Sequence, residues 1–309
     1  MICARSLDDG ATWSTPAILA RHGGGDTAAT AWGCGDVCLV TDPTTGRVFA
    51  HYLYAPPGVG YANSDNSTSP TTTTAVRPCY RYSGDDGVTW SGQVELIEQL
   101  KTPQMFGMFA TSGHGWAGTD GTLYVPYSYQ PARGSTTSAA FVAYSSDHGA
   151  TWQRSALLTD TTAGGPGENH LVQLADGTFV VSARPGTPGS RLLYTAPSMA
   201  GPWAGGLCPE LPDPSCNGDL IRVDPDDTSP RRDWLLASGC ASGSARANLT
   251  VWLSTDGGRT WPVAWRVGDD GAAYSTMVRL GDRSFGVFWE DTTARSMLFT
   301  GFDLSMFGR

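Results

Sequence analysis

Lysine is almost missing from this chain: of its 20 lysines and arginines, Lys101 is the only lysine. Charged residues of either sign make up just 16%, and the formal net charge is −9. That balance excludes the basic stripe with which a protein grips a nucleic-acid backbone. No apolar run approaches the roughly 18 residues of a membrane-spanning helix, so a soluble chain is expected. The first residues, Met1 to Trp13, lack a basic segment followed by an apolar one, so no signal peptide is visible. The seven cysteines contain no CxxC pair, and the Cys34/Cys38 spacing has no matching partner pair. Free thiols with at most one disulfide are expected. The five histidines show no ligand spacing, so neither a metal site nor a cofactor is expected. Sustained helical periodicity is also lacking.

What the chain has is glycine, proline and tryptophan: 39, 20 and 11 residues of 309, within a composition that is 40% hydrophobic. This is enough apolar material for a large core, interrupted by many tight turns. Two sequons, at Asn66 and Asn248, carry little weight at this length.

The turns repeat. Ser6-Leu-Asp8-Asp-Gly10-Ala-Thr12-Trp13, Ser83-Gly-Asp85-Asp-Gly87-Val-Thr89-Trp90, Ser145-Ser-Asp147-His-Gly149-Ala-Thr151-Trp152 and Ser254-Thr-Asp256-Gly-Gly258-Arg-Thr260-Trp261 share the pattern S-x-D-x-G-x-T-W. A decayed copy ends at Gly201-Pro-Trp203. Aspartate can accept from turn amides, glycine supplies a positive φ, and Thr-Trp begins the return strand of a hairpin. A second family of turns opens into apolar strands at Thr45 to Phe49, Thr119 to Tyr124, Ala175 to Phe179 and Gly281 to Phe285. Two hairpin signals per repeat, with about 50–80 residues between repeats, predict small antiparallel sheets in radial repetition, a β-propeller.

The four boxes resemble those of the Asp-box, or BNR-repeat, superfamily, and residues outside them resemble a bacterial-type sialidase. Glu168, in Gly167-Glu168-Asn-His-Leu-Val-Gln-Leu174-Ala-Asp-Gly, and Arg184, sixteen residues later, resemble the stretch bearing that family's catalytic glutamate and second carboxylate-binding arginine. Arg246, fifteen residues before Trp261, has the offset of the third arginine. Tyr274, in Ala272-Ala-Tyr274-Ser-Thr-Met, resembles the segment bearing the nucleophile. Asn217, in Leu211-Pro-Asp213-Pro-Ser-Cys-Asn217, resembles a segment near the substrate. Asp36 stands in a Gly-Asp-Val that resembles the family's Asp-Pro, while Met105 to Phe109 reads as core or as a hydrophobic rim.

The resemblance implies a six-bladed β-propeller in a single domain, residues 1–309, with its first blade incomplete. It implies an exo-α-sialidase that removes terminal α-linked sialic acid with retention through a tyrosine nucleophile. Glu168 would be the base, and Arg184 and Arg246 the carboxylate clamp. It further implies sialylated glycans as partners, a monomer, and a secreted or extracytoplasmic location. The family's Arg-Ile-Pro segment and the acid/base aspartate that follows it find no match, and Met1 to Arg5 reads as a third strand. A start internal to a longer protein is therefore expected, and Asp26 is not taken as a substitute acid. The alternative is a catalytically impaired sialic-acid-binding or structural Asp-box propeller.

Overall fold

The box is a closed network of local hydrogen bonds, the same in all four copies. In this computed structural model, which describes residues 1–309 except 22, 24–26, 28 and 29, the Ser hydroxyl donates to the Asp carboxylate at 2.7–2.8 Å. The Gly amide donates to that Ser oxygen at 2.8–2.9 Å. The Thr amide and hydroxyl both return to the Asp, at 2.8–3.0 and 2.6–2.7 Å. The residue before the glycine is left-handed too: Asp9, Asp86, His148 and Gly257 have φ of 54–74°. Two successive left-handed residues reverse the chain within the box. Asp26 lies outside the described residues.

Three of the boxes occupy one place in their sheets, the turn from third to fourth strand, and the first box joins the two strands of a short ribbon. The described residues fall into two compact units, Met1–Arg5 with Trp13–Thr159, and Ser6–Thr12 with Asp160–Arg309. The first unit contains the meander Gly33–Thr41, Val48–Ala55, Arg77–Ser83, Val94–Glu95, with Gly113–His114 parallel to its first strand. It also contains the meander Met108–Ala110, Leu123–Tyr129, Ala139–Ser145, Gln153–Arg154, with Trp116–Ala117 added. The second unit holds Pro166–Gln173, Phe179–Pro185, Gly189–Ala196 and Ala204–Asp213, then Asp219–Arg222, Leu235–Cys240, Leu249–Ser254 and Val263–Arg266. Its third sheet is Ala272–Arg279, Ser284–Asp291 and Ser296–Asp303.

These are five blades, where the sequence predicted six. The remaining sheet is a ribbon pairing Ile2 with Ile18 and Cys3 with Ala17 across the first box. Two residues a side bury too little to stand as a blade, and Ile2 and Ile18 are 71% and 47% exposed. Ser6–Thr12 of the first box belong to the second unit, where Gly10, at φ 87°, lies against the ring of Phe299 and leaves no room for a Cβ.

Central strands such as Leu123–Tyr129 and Leu249–Ser254 are buried at every position, because both faces of a blade are covered. In the first unit the core is aromatic: Trp152 packs edge-on to His51 at 4.3 Å and to Phe49 at 6.2 Å. Met105 and Met108 are fully buried there, so these two belong to the core. Lys101 is 3% exposed, its ammonium donates to the Asp65 carbonyl at 2.8 Å, and burial lowers its pKa to about 8. All seven cysteines are free thiols, four buried and three half-buried. The only α-helix among the described residues is Ile97–Leu100, and no helix is long and apolar enough to cross a membrane.

An antiparallel meander sorts its ends. The turns from first to second and from third to fourth strand share one edge, and the last three boxes and the second family of turns fall there. The starts of first strands, the ends of second strands and the links between blades share the other.

Candidate active site

That second edge of the 160–309 unit gathers four of the five candidate residues. Glu168 stands near the start of Pro166–Gln173 and Tyr274 near the start of Ala272–Arg279, both first strands. Arg184 stands near the end of the second strand Phe179–Pro185, and Arg246 in the loop after Leu235–Cys240. Strand geometry thus puts residues 106 positions apart at one level. A register shift at the start of each of the two first strands, between Pro166 and Asn169 and between Ala272 and Ser275, re-aims the side chains there.

Glu168, Tyr274 and Arg184 form a closed triangle. The Tyr274 hydroxyl donates to Glu168 Oε2 at 2.9 Å. Arg184 Nη1 donates to the same oxygen at 2.6 Å and to the tyrosine oxygen at 3.1 Å. The Glu168 side chain is 4% exposed and that of Arg184 27%, so the carboxylate is roofed by its partners while the guanidinium reaches the open side. Arg246 is exposed and lies over the Tyr274 ring, 5.5 Å from its centroid.

Burial, and then the charge of Glu168 and the bond donated to it, push the Tyr274 hydroxyl well above the usual phenol range. The tyrosine is therefore neutral and gives up its proton only to a group already in contact. Burial disfavours the Arg184 charge, but Glu168 outweighs it and the guanidinium is held above its ordinary value. The Tyr274 amide donates to Glu290 Oε2 at 3.4 Å.

The fifth candidate lies behind this triangle. Asn217 is 2% exposed, and its Oδ1 meets His170 Nε2 at 3.3 Å. His170 Nδ1 in turn lies 3.0 Å from Asp219 Oδ1. Asp219 Oδ2 accepts from the Met277 amide at 2.6 Å and from the Thr276 hydroxyl at 3.1 Å. His170 follows Glu168 by two residues and Met277 follows Tyr274 by three. This buried chain therefore ties the strand of the carboxylate to the strand of the tyrosine. Sequence reasoning missed His170, Asp219 and Ser215. The signal for Ser215 was its place in the Pro-Asp-Pro segment, whereas nothing local marks the other two. In the other unit, Asp36 has φ 51° and accepts from the Ser112 hydroxyl at 3.3 Å.

A compact Glu–Tyr–Arg triangle with a second arginine over the tyrosine can deprotonate a phenol while a carboxylate is held nearby. The chain is 29% identical to a sialidase of Micromonospora viridifaciens, over 98% of its own length and 46% of that protein's. It is 27% identical to a sialidase of Bacteroides fragilis, over 94% and 54%. It thus spans about half the length of these curated relatives. Among solved structures it resembles the Hadza microbial sialidase Hz136, with a TM-score of 0.83 at 22% identity over 98% of this chain and 59% of that one. The intramolecular trans-sialidase of Ruminococcus gnavus superposes with a TM-score of 0.77 at 17% identity, over 98% and 88%. At such identities the likeness carries the fold, a β-propeller. The profile of the BNR repeat-like domain matches residues 1–287, the stretch that holds all four boxes and the Glu–Tyr–Arg triangle. The chain belongs to that family, the Asp-box superfamily of the bacterial-type sialidases.

Proposed function

We propose that the chain carries exo-α-sialidase activity, hydrolysing terminal α-linked sialic acids of glycoconjugates with retention, and that it does so as a single-domain monomer. The observation that carries this reading is the bond from the Tyr274 hydroxyl to Glu168, with Arg184 on both oxygens.

Sialic acid bears a carboxylate on its anomeric carbon. A carboxylate nucleophile would meet like charge at the reacting atom, and sialidases depart from the two-carboxylate scheme by using tyrosine. Here the neutral phenol approaches without repulsion. As its oxygen bonds to the anomeric carbon, its proton passes to Glu168, and the aglycone oxygen leaves with the bonding pair and takes a proton from solvent water. Arg184 Nη1, already on the tyrosine oxygen, stabilises the charge that develops there before the bond is complete. Arg184 and Arg246 hold the sugar carboxylate. Water then attacks the same carbon and releases one proton to solvent, the tyrosine oxygen leaves with the bonding pair, and Glu168 returns its proton to that oxygen. Two displacements leave the configuration unchanged.

The test is a fluorogenic sialoside assay on the whole chain, with proton NMR of the first sugar released. Fluorophore release with the α-anomer first is the expected outcome. Tyr274→Phe should lower kcat by about 10³-fold or more without lowering the melting temperature, since it removes the nucleophile and leaves the ring. A Tyr274→Phe variant of undiminished rate would remove the tyrosine from the mechanism.

A further inference from the structure

Ser215 sits between the two arginines and bonds to both. Its hydroxyl oxygen accepts from Arg184 Nε at 3.2 Å, and its carbonyl accepts from Arg246 Nη2 at 3.5 Å. Its φ is 63°, a left-handed conformation that a residue with a Cβ keeps only where its surroundings over-determine it.

Those surroundings centre on a second, buried arginine. Arg191 is 3% exposed and donates to Ser182 Oγ at 2.7 Å, Asp213 Oδ2 at 2.6 Å, the Cys216 carbonyl at 3.1 Å and the Gly218 carbonyl at 3.2 Å. Asp213 Oδ1 accepts from the Cys216 amide at 2.8 Å. One guanidinium thus fixes the chain on both sides of Ser215, at Asp213 before it and at Cys216 and Gly218 after it. Replacing a buried ion pair by apolar residues is often neutral or stabilising, so stability is a weak reason for this one. Holding a loop in one shape is a better account of its five bonds.

The need for such a loop follows from Arg184. A guanidinium tethered through Nη1 alone can swing about that contact. A second acceptor on Nε, from a different strand link, sets the plane of the fork. We propose that Ser215 is a positioning residue which presets Arg184 and Arg246 as a pair to receive a carboxylate. The Arg191–Asp213 pair holds it in place. This inference rests on the sialic-acid reading of the site.

The experiment compares the whole wild-type chain with Ser215→Ala, using calorimetric titration with free sialic acid and turnover of the fluorogenic sialoside. Losing one hydrogen bond to a charged group should weaken sialic acid binding by about tenfold or somewhat more, with KM rising in step. The melting temperature should stay at the wild-type value and kcat should change less than KM, a split that a merely structural role would not produce. Ser215→Gly suits the left-handed backbone, carries the same prediction, and stands in should the alanine variant unfold. Wild-type affinity in both variants overturns the inference and leaves the sialidase reading intact. So does a kcat loss exceeding the KM rise. A wild-type chain that fails to bind sialic acid overturns both.

Discussion

At the box edge of the blades the bonds among the Ser, Asp, Gly and Thr of each box close within four residues, whereas at the opposite edge of the 160–309 unit the bonds span 16, 31, 90 and 106 residues. The first edge is the same motif built four times. The second is built once, from pieces of three blades. Local bonds form wherever their pattern occurs, so they serve stability and can be repeated. Bonds between distant strands exist only when the sheets are already formed, and these can be aimed at a ligand.

The comparison can be broken most sharply at Glu168. Glu168→Gln keeps the shape but removes the base, and kcat should fall by about 10²–10⁴-fold in steady-state assays, with the thermal midpoint unmoved. A midpoint that dropped with the rate would mean that the site edge also holds the fold together. At the box edge the effects should reverse. Trp152 is 3% exposed against His51 and Phe49, so Trp152→Ala should cost about 3–5 kcal/mol in chemical denaturation while leaving KM alone. Asp147→Ala, in the same box, removes the acceptor of Ser145 and of both Thr151 donors. By analogy with a lost helix cap it should cost about 0.5–2 kcal/mol on the same measurement.

The smallest effect is one of pH. The bonds from Thr89, then the Ser83 hydroxyl, lower the Asp85 carboxyl from 3.8 to about 2. A folded pKa below the unfolded one adds stability that is present above the unfolded value and lost as pH falls through the folded value. For Asp85 that window runs from 3.8 down to about 2. Urea denaturation at several pH values should show Asp85→Asn with a shallower loss of stability than wild type across that window, and an equal slope would remove the box aspartate from the acid response.

How much of this was legible follows the same division. The boxes and the second set of turns were readable as hairpins because their chemistry is contained in eight or fewer consecutive residues. Their left-handed pair was half legible: the glycine announced itself, but Asp9, Asp86 and His148 did not. Glu168, Arg184, Arg246 and Tyr274 were nameable only through family resemblance, since each alone reads as a turn, a strand end, a surface arginine or a packed tyrosine. Asn217 was named from the same kind of match, and the structure places it behind the triangle on His170. The blade count fell short because the ribbon at Ile2 and Ile18 has the turn of a blade without its strands.

The amino-acid sequence by itself determined the repeating turns, the all-β class and the apolar strands that follow the turns, because those depend on bonds and residue runs a few positions long. Tertiary structure alone decided that the Glu168 carboxylate takes both the tyrosine proton bond and the arginine, that Ser215 stands between two guanidinium groups, and that the single lysine is buried. The physical reason is distance along the chain. A hydrogen bond is short whatever its sequence separation, and only packed sheets bring residues 106 apart to within 2.9 Å.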